Sequence, residues 1–90
     1  MMYRTHKIKI NKEYADSVLS GDKTFEVRYN DRGYQKGDYV IFNVVDKFDE
    51  INHELNEKRY IITYVLTGFG LPSDWCVFAI KETDNDLQSL

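Results

Sequence analysis

Apolar and polar positions alternate along most of this chain, in short runs set apart by clusters of glycine and charge. Tyr3 to Ile10 reads as a first strand, with His6, Ile8 and Ile10 on one face and Arg4, Lys7 and Lys9 adding positive charge nearby. The period then changes. Tyr14, Ala15, Val18 and Leu19 fall at helical spacing, Asn11 stands where a helix cap is needed, and Glu13 lies in the first turn, where it complements the helix dipole. Gly21, after Ser20, suits the left-handed residue that closes a helix. Alternation resumes at Phe25 to Tyr29, where Phe25, Val27 and Tyr29 are expected to face a core and Thr24, Glu26 and Arg28 the other side.

Asn30-Asp31-Arg32-Gly33 and Lys36-Gly37-Asp38 read as turns. Tyr39 to Val45 is a third strand whose nearly continuous apolar run predicts burial on both faces. Asp46 to Arg59 is acidic and without strong period, a surface loop with room for a helical turn. Tyr60 to Thr67 is a fourth strand of high β propensity. A loop carrying Gly68, Gly70 and Pro72 leads to a fifth, Trp75 to Lys81. This order predicts an α+β, mostly β domain: a small barrel of about five strands, largely antiparallel, with one helix after the first strand. The domain is expected over 1–82, followed by a flexible acidic tail over 83–90.

Ninety residues, 42% of them hydrophobic, suffice for one domain with a modest core. No apolar run approaches a membrane span and the first residues lack the apolar centre of a secretory signal, so a soluble, cytoplasmic protein with no membrane partner is expected. Cys76 is the only cysteine, which rules out an internal disulfide. Its apolar neighbours mark it as a buried structural thiol. His6 and His53 have no companion ligands at metal spacing, and the acidic loop lacks a calcium-loop pattern, so neither metal nor cofactor is expected. The net charge of −3 argues against bulk electrostatic binding of nucleic acid. The charge is uneven, however. Residues 1–40 carry eight Lys/Arg and six Asp/Glu, while residues 41–90 carry four and nine, so an anion-binding surface belongs to the first half.

The stretch from Gly21 to Asp38 holds three of the five glycines together with Lys23, Glu26, Arg28, Asp31, Arg32 and Lys36. Its charges form either a solvated strand face or a recognition site, and spacing alone favours the solvated face. The spacing Gly21-x-Lys23-x-x-Glu26-x-Arg28, between a helix end and a strand, resembles the motif of the ASCH domain family, a group with a barrel similar to the PUA domains of RNA-modifying enzymes. The continuation Asn30-Asp31-Arg32 to Gly37-Asp38 looks like a small bacterial and phage subgroup of ASCH-like proteins of unknown function. The resemblance covers about the first half of the chain.

That resemblance implies a cleft beside the barrel whose ligand is RNA or a nucleotide. Lys23 and Arg28 would meet phosphate or a base edge, with Glu26 accepting from a base amino group or orienting the two cations. Thr24, Arg32 and Tyr34 complete the expected ligand-binding set, with Lys36 at the rim. Tyr29, Tyr34, Phe69 and Trp75 are candidates to stack bases, Tyr34 foremost, while Trp75 is expected in the core. Some relatives in this fold are amidohydrolases that act on acetylated cytidine with a threonine where this chain has Glu26, so that mechanism does not transfer directly. A hydrolase built on Lys23 and Glu26, acting on RNA or a modified nucleoside, is the alternative reading. A protein-interaction domain using the acidic second half is another. A monomer is expected.

Overall fold

The computed structural model describes residues 3–83. Its first strand, β1 (Thr5–Asn11), alternates as expected, with His6, Ile8 and Ile10 buried and the residues between them exposed. The helix α1 (Lys12–Ser20) follows without a loop and lays Ala15 and Val18 against the sheet, with Leu19 packed at the core's margin. Asn11 holds the cap position with extended backbone, but its side chain makes no capping bond. Gly21 ends the helix at φ 89° and donates its N–H to the Val18 carbonyl, as its place after Ser20 predicts.

The remaining strands are β2 (Phe25–Tyr29), β3 (Tyr39–Asp46), the two-residue β4 (Asp49–Glu50), β5 (Tyr60–Thr67) and β6 (Trp75–Glu82). They form one sheet in the order β1-β3-β5-β6-β2, with β4 paired to β3. β1 runs parallel to β3 and every other pairing is antiparallel. The molecule is therefore a small, mostly β, α+β domain of six strands and one helix. The sixth strand is β4, which forms inside the acidic segment read as loop. A 3-10 turn (Glu54–Glu57) in the same segment drives Leu55 fully into the core.

The two ends of the sheet, β1 and β2, face one another without pairing. No Cα of one lies within 8 Å of a Cα of the other, so the sheet stays open and is not closed by a ladder into the barrel expected from the strand order. Arginine side chains span the gap instead.

The core is built on Phe42, Phe78, Leu55, Ile62, Val40, Val44 and Cys76. Where β5 diverges from β3, Asn56 replaces the missing strand: its amide oxygen accepts the Val44 N–H at 2.9 Å and its amide nitrogen donates to the Ile51 carbonyl at 3.0 Å. Helix and 3-10 turn are joined by His53, which accepts the Leu55 N–H on Nδ1 (3.0 Å) and therefore carries its proton on Nε2, 2.7 Å from Asp16 Oδ1. That bond holds the Asp16 carboxyl below its usual value.

Asp38 is the buried polar hub of the opposite end. Its carboxylate takes the Arg4 N–H at 3.2 Å, the Gln35 N–H at 3.1 Å and His6 Nε2 at 2.8 Å, tying β1, the preceding turn and β3 together. Gly37 makes this turn possible: it sits at φ 96°, and an added Cβ would clash with the Tyr3 ring. Tyr34, expected on the surface as a stacking platform, is 5% exposed and lies with its ring centroid 4.7 Å from both His6 and Phe78. Of the tail expected over 83–90, Thr83 is bonded to the Arg59 carbonyl and the rest lies outside the described residues. Among the described residues no helix is long and apolar enough to cross a membrane.

Burial alone would raise the Asp38 carboxyl, but the hydrogen bonds from His6, Arg4 and Gln35 outweigh it and hold the group below its ordinary value. A depressed carboxylate stabilises the fold above its unfolded value of about 4 and loses that contribution as pH falls through the folded value. Urea denaturation at neutral pH is expected to show Asp38→Asn less stable by about 1.5–3 kcal/mol, the range for hydrogen bonds to a charged group. Below about pH 4 the gap between variant and wild type should narrow. A gap that widens with acid would contradict this assignment.

Candidate functional site

β2 keeps the alternation expected of it but presents the opposite faces. Glu26 is 4% exposed, whereas Phe25, Val27 and Tyr29 are 43%, 48% and 51% exposed. The register explains the inversion. Glu26 lies opposite Phe78 and Arg28 opposite Cys76, and both of those β6 residues point into the core. Period 2 groups residues onto a face without saying which face is buried. Here the inner face can carry a carboxylate because its partners are only two and three residues away.

Glu26 is paired on both oxygens. Oε2 accepts from Lys23 Nζ, and Oε1 accepts from Arg28 Nε at 3.0 Å with Nη2 as an ion-pair neighbour at 2.9 Å. Lys23 also donates to the Phe25 carbonyl at 2.7 Å, and its ammonium lies 5.1 Å from the centroid of the Phe25 ring. A buried carboxylate is tolerated only when paired and hydrogen-bonded in this way. The three charged motif residues therefore form one unit, while Gly21 closes the helix before it.

Arg28 carries the unit across the gap in the sheet. Its Nη2 donates to the Lys9 carbonyl of β1 at 2.7 Å, and Arg32 Nη1 donates to the Lys7 carbonyl at 3.2 Å. Arg4 reaches the other way, to the Gly33 carbonyl. The gap remains open enough to form two adjoining clefts. One, of about 660 Å³, is lined by Lys7, Lys9, Arg28, Asp31 and Arg32 with Asn43 and Asn56. The other, of about 530 Å³, is lined by Lys9, Lys23, Glu26 and Arg28 with Tyr14, Tyr29 and Trp75. Lys9, Arg28 and Tyr29 belong to both, so the clefts are two halves of one groove. Five cations (Lys7, Lys9, Lys23, Arg28, Arg32) stand against two carboxylates (Glu26, Asp31), a local surplus in a chain of net charge −3.

Of the residues singled out from sequence, Lys23, Glu26, Arg28 and Arg32 thus come together along the groove. Tyr34 contributes only wall, as a core ring whose hydroxyl is pushed up by burial. Thr24 is exposed, lines neither cleft, and joins the sheet through its carbonyl, which accepts the Ile80 N–H at 3.0 Å. Lys36 and Phe69 also lie outside both clefts. Trp75, expected in the core, is 37% exposed at the rim, edge-on to Tyr29 with centroids 5.9 Å apart. Asn43 and Asn56 join the groove wall without any local sequence pattern that marks them. Among the described residues no three His, Cys, Asp or Glu side chains gather as a metal site.

The fold and the groove define a small mostly β domain with a charged cleft at an open sheet seam. The family described as "Domain of unknown function (DUF3850)" matches residues 5–80, from the start of β1 to the last core residue of β6, and the chain belongs to that family. Over 43 residues it is 42% identical to a protein of Escherichia phage P2 described as an uncharacterized 12.9 kDa protein in the GpA 3' region. That stretch is 48% of this chain and 39% of the phage protein, so the chain spans about two fifths of that relative's length.

Glu26→Ala would leave two cations facing each other beside the core and should destabilise the domain by about 3–5 kcal/mol in chemical denaturation. Phe25→Ala, at a half-exposed ring, should cost under about 2 kcal/mol. The reverse order of the two effects would mean that β2 presents its other face.

Proposed function

We propose that the groove between β1 and β2 binds RNA or a nucleotide, with the domain acting as an ASCH- or PUA-like binding module. The observation that carries this reading is the pairing of a cationic wall with an aromatic rim along one groove. Lys7 and Lys9 rise from β1, Arg28 and Arg32 cross from the β2 side, and Tyr29 and Trp75 stand opposite. Phosphates suit the first set and base faces the second. The curled sheet, with its ends bridged by side chains, supports a relationship to the PUA-like barrel in which the seam serves as the binding cleft.

Glu26 acts as an anchor in this reading. With both oxygens engaged by Lys23 and Arg28, it holds the Arg28 guanidinium where Nη2 also donates to the Lys9 carbonyl across the gap. The same engagement weighs against a general-base role, and the position of Thr24 outside the groove weighs against its use as a nucleophile. Binding therefore has more support than hydrolysis.

NMR titration with nucleoside monophosphates and short single-stranded RNA is the test. Amide shifts should cluster at Lys7, Lys9, Arg28, Tyr29 and Arg32. Lys7→Ala and Lys9→Ala, at exposed positions that leave the Glu26 unit intact, should weaken binding of the RNA. Each should also flatten its salt dependence by about 0.7 for every phosphate that goes unneutralised. Absence of shifts with every ligand, or shifts unchanged in both variants, would refute the proposal.

A further inference from the structure

The outward face of β2, β6 and β5 is apolar where a one-sided sheet is ordinarily polar. Registered residues place Phe25 in a row with Tyr64 through Ala79, Val27 in the next row with Val77, and Tyr29 beside Trp75. No charged residue is paired in these rows; the Lys23 ammonium, 5.1 Å from the centroid of the Phe25 ring, is held by Glu26. The side chains are well exposed, Tyr64 by 62%. The inversion of β2 is the cause: burying Glu26 and Arg28 turns the strand's apolar residues outward, onto a face that β5 and β6 continue.

We infer that this face is the interface of a homodimer, with a second copy of the chain packed on it sheet to sheet about a two-fold axis. Area and charge both favour that occupant. Phe25, Val27, Tyr29, Tyr64 and Trp75 leave on the order of 500 Å² of apolar surface in water, taking about 200 Å² for a fully exposed aromatic. That is at the upper end for a lone patch on a monomer. Complete coverage of these residues on both copies would bury on the order of 1,000 Å², about the total that a specific interface has to clear. A two-fold contact sets each surface against itself, so any charged patch meets its own sign. On a chain of net charge −3, an uncharged patch is the surface two copies can share without that repulsion. The two-fold contact and base stacking compete for the same two rings, because Tyr29 and Trp75 belong to both the apolar face and the groove rim, so a second copy seated there leaves the groove its cationic wall.

Sedimentation velocity over the micromolar range, without any ligand, is the test. Wild-type protein should sediment at twice the 10.7 kDa of one chain. Tyr64→Glu, at an exposed site on the outer face of β5 and outside both clefts, should raise the dissociation constant by more than about tenfold while keeping the far-UV circular dichroism of the wild type. A wild-type chain that stays monomeric throughout the range would overturn the inference and leave the face to a different protein. A dimer that persists in a folded Tyr64→Glu variant would overturn it as well.

Discussion

The carboxylate of Glu26 is the constraint from which the arrangement of the site follows. A charge at that depth must be paired, and Lys23 and Arg28 pair it from either side. Because Arg28 is held there, its guanidinium also reaches the Lys9 carbonyl on the far end of the sheet. Because Glu26 and Arg28 take the inner face of β2, Phe25, Val27 and Tyr29 take the outer one. One buried ion cluster therefore fixes the phase of a strand, bridges the sheet's two ends and decides which surface is left apolar.

Asp38 does comparable work at the opposite end of β1, with a different kind of partner. It is held by His6 and two backbone N–H groups, with the Arg4 guanidinium 3.8 Å away, and its hydrogen bonds all lie within the scaffold. The Glu26 cluster contacts the scaffold too, but it also borders open space lined by further cations. A buried ionic group beside a groove can serve both stability and recognition, since the two cations that hold the carboxylate also line the opening.

Much of the scaffold is legible in the sequence because local chemistry sets it. The helix end follows from Gly21 and its start falls at Asn11, though without the side-chain cap expected there; the five long strands follow from alternation and β propensity, and the buried thiol from the residues flanking Cys76. Phase and long-range geometry are not legible in the same way. The residues of β2 divide cleanly into two sets, but only the register with Phe78 and Cys76 tells which set is buried. Tyr34 sits among polar residues in the chain yet is drawn inward by His6 and Phe78, which are distant in sequence. Asn56 replaces a strand's hydrogen bonds only because β5 leaves β3 early, a fact of topology. The open seam is likewise invisible in the order of strands along the chain. Spacing picks out the motif residues, and their grouping is a property of the fold.

The arginine bridges also bear on how such a sheet avoids joining other sheets. Terminal strands carry rows of unpaired carbonyls and amides, which are templates for intermolecular pairing and fibril growth. Here the Lys7 and Lys9 carbonyls on the free side of β1 are already occupied by guanidinium groups. An incoming strand would have to break charge-assisted bonds before it could add. The seam residues thus act as gatekeepers against aggregation, and any ligand that draws Arg28 and Arg32 away unlatches the edge they guard.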